Sequence, residues 1–134
     1  MSGFLDTSVL LRYLVRDDAA RAEQAARLID GETVLLASSL VLHEAAHVLR
    51  SVYQVPREQI VDSLLAFVQR QNVVIVGMDK DLVQQGLLLC RPSGRVSFVD
   101  ALLWAQAQSG GPRVVYSFDQ RFPTAGIEVR DTWS

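Results

Sequence analysis

The sequence predicts a three-layer α/β/α domain built on a mostly parallel sheet of four or five strands. Three observations lead there. Short apolar runs such as Thr33-Val34-Leu35-Leu36-Ala37 and Val73-Val74-Ile75-Val76 are bounded by turn residues, as buried strands are. Stretches with helical spacing of their apolar residues lie between them. The two types alternate, which implies parallel strands joined by crossover helices and covered on both faces.

The chain opens on Gly3-Phe4-Leu5-Asp6, a short strand ending in an acid, and a helical pattern comes directly after it. Thr7 and Ser8 are candidate N-caps for that helix. Arg16-Asp17-Asp18 turns the chain into a second helix, Ala19 to Ile29, which Asp30-Gly31 stops. The strand at residues 33–37 leads to Ser38 or Ser39 as the cap of a helix reaching Tyr53. Pro56 breaks away from it and opens a helix through Arg70. After the strand at 73–76, closed by Gly77, residues 79–89 are helical and 91–94 form a loop. Ser97 caps a helix from Val99 to Gln108, and Gly110-Gly111-Pro112 ends it. Val114 to Tyr116 and Ile127 to Val129 complete the strands.

With 134 residues, 49% of them apolar and 21% charged, the chain is expected to form one ordered domain, 1–134. A net charge of −2 excludes a strongly basic nucleic-acid binder, though not a nucleic-acid substrate met by an acidic, metal-holding site. Twelve of the thirteen basic residues are arginine, the side chain best suited to phosphate. The single Cys90 excludes an internal disulfide and thiolate-rich zinc sites. No apolar run approaches the ~20 residues of a membrane span, and the start does not read as a signal peptide. The expected location is cytoplasmic.

Four acids stand apart from those at turns and polar faces. Asp6 follows the first strand, Glu44 sits in an apolar helical stretch, Asp100 lies in a helix's first turn, and Asp119 follows the fourth strand. In a parallel sheet these positions share the carboxyl edge, where open α/β sheets bind ligands. Carboxylates gathered there repel one another unless a cation joins them, and all-oxygen ligation suits Mg²⁺ or Mn²⁺. Each acid also has a structural reading: Asp6 as a cap, Asp100 as a first-turn acid favoured by the helix dipole, and Asp119 as a turn residue. Glu44 is the hardest to explain so, since a buried unpaired acid is costly.

The ordered set Leu5-Asp6-Thr7-Ser8-Val9-Leu10, Glu44 with Val48-Leu49, Phe98-Val99-Asp100-Ala101-Leu102 and Ser117-Phe118-Asp119-Gln120-Arg121-Phe122 resembles the PIN-domain family. The likeness extends to the VapC-type toxins of toxin–antitoxin pairs and covers essentially the whole chain. It implies metal-dependent endoribonuclease activity that leaves a 5′-phosphate and a 3′-hydroxyl. It also implies that Asp6, Glu44, Asp100 and Asp119 hold Mg²⁺ or Mn²⁺, supported by Thr7 or Ser8 and by Ser117. A homodimer and a small antitoxin partner are implied as well. Two positions depart from the family pattern: Ser97 stands where an acid often precedes the third site acid, and Arg121 where a second acid often follows the fourth. Arg121 is open to two readings, a phosphate contact or an exposed side chain without a role.

A rival motif overlaps Glu44. His43-Glu44-Ala45-Ala46-His47 is a complete H-E-x-x-H, which on a helix suits a zinc protease. These are the only two histidines, and the motif leaves the other three acids unexplained, so the ribonuclease reading is preferred. A third reading is a degenerate PIN domain that binds RNA or a partner without cutting. Leu11, Leu14, Leu64, Leu65 and Phe67 are candidates for core or for dimer and antitoxin contacts. Arg12, Arg16, Arg50 and Arg95 are candidates for holding RNA or for solvated surface.

Overall fold

The computed structural model describes residues 1–133, in which pairs of helices separate the first four of five strands and β4 leads to β5 without a helix. The order is β1 (Ser2–Phe4), α1 (Thr7–Val15), α2 (Ala19–Ile29), β2 (Val34–Ala37), α3 (Ser39–Ser51), α4 (Arg57–Val68), β3 (Val73–Ile75), α5 (Lys80–Leu89), α6 (Phe98–Ser109), β4 (Val114–Tyr116) and β5 (Glu128–Arg130). Every strand pairing is parallel, as the alternation predicts. The pairing is divided, however. Hydrogen bonds join the strands as a ladder of three, β1-β2-β3, and a ladder of two, β4-β5, instead of one continuous ladder. The described residues pack as two compact units, Met1–Val76 and the chain from Gly77 onward.

In the first unit β2 is central, with Leu35 opposite Gly3 on one side and Val73 on the other. Side chains alternate across a strand, so Leu35, Ala37, Val73 and Ile75 turn to the same face and are buried. Val34 and Val74 point the other way and are exposed, although the sequence reads these strands as wholly buried. The buried face meets Leu5, Leu10, Leu42, Leu49, Ile60, Leu64 and Phe67 in one core. Leu64 and Phe67 are therefore core residues, while Leu11, Leu14 and Leu65 are half-buried.

The helix starts explain themselves locally. Asp18 accepts from the Arg21 N–H and Ser38 from the Leu40 N–H, satisfying donors that a helix's first turn leaves without partners. Pro56 precedes α4 without a side-chain cap, its fixed φ near that of the helix. Arg16 closes α1 in a left-handed conformation, its N–H donating to the Arg12 carbonyl. Two networks then fix the helices. Asp17 accepts from Arg12 at 2.9 Å and from the Tyr53 hydroxyl at 3.1 Å, and Asp30 accepts from Tyr13 at 2.6 Å and pairs with Arg70 at 3.1 Å.

In the second unit α5 and α6 pack closely. Asp79 caps α5 through the Asp81 N–H, and the Asp79 N–H donates to Ser109 at the far end of α6. Trp104 Nε1 and Gln108 Nε2 both donate to the Ala125 carbonyl at 2.8 Å, tying the approach to β5 onto α6. Gly86 permits the close helix crossing, because a Cβ there would lie 2.8 Å from the Ala101 carbonyl oxygen. Gly86→Ala is expected to cost roughly 1–3 kcal/mol, since the backbone shift outweighs alanine's better helix propensity of about 1 kcal/mol. Chemical denaturation of the two proteins checks this, and a stabilised variant would contradict it.

Candidate active site

Asp6 lies just beyond the carboxyl end of β1 and is itself the N-cap of α1, a role the sequence offered to Thr7 and Ser8 as well. Its Oδ2 accepts from the Ser8 N–H at 3.1 Å and from the Ser8 hydroxyl at 2.6 Å. The Ser8 hydroxyl and N–H hold the Asp6 carboxyl below the usual aspartate range, so it is ionised at neutral pH. Of the two hydroxyls expected to support Asp6, that of Ser8 bonds its carboxylate. Thr7 is buried in the same turn.

Glu44 lies on α3, the helix after β2. Leu42, Ala45, Ala46 and Leu49 take the buried face of this helix, and Glu44 falls on the exposed one with His43 and His47. The buried face is thus filled by other residues of the stretch, and Glu44 is not among them.

The second unit holds the other two acids. Asp100 sits in the first turn of α6, where its N–H donates to the Ser97 hydroxyl at 3.0 Å. Ser97 is the N-cap, as predicted. Asp119 follows β4 in a tight turn, where its N–H donates to the Ser117 hydroxyl at 3.0 Å. Ser117 therefore supports the backbone of Asp119 and leaves its carboxylate free for other partners. Asp100 and Asp119 are close enough to repel: partial burial, and then the charge of Asp119, raise the Asp100 carboxyl above its ordinary range.

Arg121 is paired within this turn. Its N–H and its Nε both reach Asp119 Oδ1, at 2.8 and 3.3 Å. These two bonds and the guanidinium charge hold the Asp119 carboxyl low. Reading the sequence left Arg121 between a phosphate contact and a bare surface group and missed this pairing. The signal was the Asp-x-Arg spacing, which lets the arginine fold back onto the turn. The exposed rings of Tyr116, Phe118 and Trp133 beside this turn were missed as well.

The four acids offer oxygen donors only, the chemistry a hard divalent cation requires. Among the described residues, no three His, Cys, Asp or Glu side chains are grouped so as to hold a metal ion, and the same applies to His43 and His47. Within each unit the donors come as separate acids or as the repelling pair Asp100 and Asp119. Of the candidate RNA-binding arginines, Arg12 pairs with Asp17, Arg16 lies 5.3 Å from the Tyr13 ring centroid, and Arg50 and Arg95 are exposed.

Parallel strands whose carboxyl ends lead into acid-bearing turns and helices define an α/β domain with its polar groups gathered at strand ends. The family model for the PIN domain matches residues 3–128, and the chain belongs to that family. Comparison with curated proteins and with solved structures gave no match. PIN domains are commonly nucleases, generally dependent on divalent metals. No helix among the described residues is long and apolar enough to cross a membrane.

The cap and the charge of Asp6 can be separated. Asp6→Ala removes the acceptor and is expected to cost about 1–2 kcal/mol. Asp6→Asn keeps an acceptor and forfeits only the charge–dipole contribution, under about 1 kcal/mol. Urea denaturation of both variants reads the difference, and equal losses would mean that Asp6 does not act as the cap.

Asp100 makes a pH prediction of defined sign. Its folded-state pKa is raised, so the native protein binds more protons than the unfolded chain between the ordinary aspartate value and the raised one. Stability therefore falls as pH rises through that window, and at pH 7 the penalty is fully present. Asp100→Asn is expected to raise the melting temperature at pH 7, with the gain shrinking as the pH is lowered through that window. A gain that grows on acidification would reverse the assignment.

Proposed function

We propose that this chain is a divalent-metal-dependent endoribonuclease, the toxin of a type II toxin–antitoxin pair. The observation that carries this reading is the Asp100–Asp119 pair in a PIN-family chain. Partial burial and the charge of Asp119 make the Asp100 carboxylate costly, and a scaffold that did not need that charge would be better with an amide there. Asp6, Glu44, Asp100 and Asp119 are the residues that would hold Mg²⁺ or Mn²⁺. The ion's chemistry there is to polarise a phosphate oxygen and lower the pKa of a water.

The side chains divide the remaining work. Ser8 fixes the Asp6 carboxylate in one orientation through Oδ2 and leaves Oδ1 unencumbered by that contact. Ser117 and Ser97 hold the turn of Asp119 and the first turn of α6, so the charged pair is presented without loop freedom. Water attacks phosphorus in line, the bond to the 3′-oxygen breaks, and that oxygen takes a proton. The products are a 5′-phosphate and a 3′-hydroxyl. The guanidinium of Arg121 is the cation nearest the Asp119 carboxylate and is suited to bind the substrate phosphate.

A cytoplasmic homodimer silenced by a small antitoxin, with the whole chain acting as one domain, completes the proposal. The zinc-protease reading is set aside, because the family match and the three further acids have no part in it. One specific observation favours the degenerate binding domain as the second reading. Arg121 already offers Asp119 a cation, which an enzyme relying on a metal there must displace or share.

The test is cleavage of mixed structured RNAs by metal-stripped protein with Mg²⁺, Mn²⁺ or Zn²⁺ restored separately. Cutting should need Mg²⁺ or Mn²⁺, fall by about 10²-fold or more in Asp6→Asn and Asp100→Asn, and survive His47→Ala. RNA bound but uncut under every metal would establish the degenerate domain instead. Zinc retained tightly and lost with His47→Ala would restore the protease.

A further inference from the structure

Three aromatic rings lie together at the turn that carries Asp119. Trp133 stands between the other two: its centroid is 5.4 Å from that of Tyr116 at 76°, edge to face, and 5.5 Å from that of Phe118 at 28°, nearly stacked. Single exposed hydrophobic residues need no explanation, but a cluster of large rings in water does. Phe118, Trp133 and Tyr116 are 76%, 60% and 58% exposed. Phe122, four residues beyond Phe118, is buried and anchors the same loop, so Phe118 is not needed for that anchoring.

The surroundings restrict what can cover these rings. Arg130, opposite Tyr116 in the β4–β5 ladder, is held in a two-bonded pair with Glu128, at 3.0 Å for each bond. Arg121 is paired with Asp119, in the turn that carries Phe118. A flat aromatic surface suits a partner with flat faces of its own. The cluster itself contains no aliphatic side chain of the kind that forms a groove for an apolar helix.

We infer that Tyr116, Phe118 and Trp133 form a stacking platform for unpaired nucleobases beside the turn of Asp119. The inference rests on the ribonuclease reading for the identity of the polymer. A base laid on the open face of Phe118 extends the stack that Trp133 has begun, and its phosphate then falls beside Asp119 and Arg121. Bases in a duplex already have both faces covered and cannot stack there, so the platform selects unpaired segments.

The chain contains two tryptophans, and only Trp133 is placed to report a stacked base, since Trp104 is 3% exposed and bonded to Ala125. The experiment titrates the full chain, in EDTA, with an unstructured RNA oligonucleotide and with the same strand in a duplex. Tryptophan emission and the anisotropy of a labelled strand are both followed. The single strand should quench emission and the duplex should not. Phe118→Ala should weaken binding by about 5- to 150-fold, the range of one lost base stack. Trp133→Phe should remove the quench while keeping the affinity. Unchanged Trp104 emission certifies that the variants are folded.

Wild-type affinity in both Phe118→Ala and Trp133→Ala, or equal binding of duplex, overturns the platform. So does an absence of quenching together with a changed sedimentation coefficient in Trp133→Ala, which marks the rings as a contact between copies of the chain. Binding to the platform without cleavage under any metal overturns the ribonuclease and supports the platform. Cleavage by Phe118→Ala with an unaltered KM does the reverse.

Discussion

The fold depends on how each parallel strand passes the chain to the element after it. A strand of three or four residues has few ladder bonds of its own, so the junction at its carboxyl end must fix the direction of the next element. Capping side chains do this. Asp6 after β1, Ser38 after β2 and Asp79 after β3 each bond the backbone two residues on and set the first turn of a helix. Ser117 after β4 makes the corresponding bond to Asp119, where a tight turn replaces the helix. The polar groups needed to start elements thus collect at strand ends, where ligands of open α/β sheets also bind.

This overlap makes the structural and chemical readings of an acid compatible. Asp6 is a cap by geometry, and its Ser8 contacts hold it ionised and oriented, as a ligand to a cation must be. Asp100 shows the opposite balance. A first-turn acid should be favoured by the helix dipole, yet burial and Asp119 raise its pKa. Stability alone does not account for an acid there. Asp17, Asp18, Asp30 and Asp79 are the contrast, each engaged with a cap or a pairing partner inside its own unit.

Most of the fold was legible because its signals are local. The five strands, the cap Ser97, a helix start at Ser38 or Ser39, and the stop at Asp30-Gly31 can all be read from a few adjacent residues. Three consecutive capping types in Asp6-Thr7-Ser8 hid which of them acts, since only backbone direction decides it. Glu44 was misjudged by its neighbours in sequence: Leu42, Ala45, Ala46 and Leu49 follow the helical period, and the residue between them turns outward. The division of the ladders into three and two was not legible either, because apolar runs announce strands and say little about their neighbours. As for the site, the sequence offered the four acids but could not bring them together. Only the Asp100–Asp119 pair has an interaction that the fold makes explicit.

Arg121 changes how that pair must be understood. A carboxylate at this position would add to the repulsion and call for more positive charge from a ligand. An arginine supplies a fixed positive charge instead, and its two bonds use Oδ1 of Asp119 alone. The other oxygen of Asp119 stays outside that contact, and the net negative charge of the pair is lowered. A guanidinium is also weakly hydrated and suited to phosphate, the contact proposed for Arg121. On that proposal the pairing with Asp119 and the phosphate contact compete for one side chain.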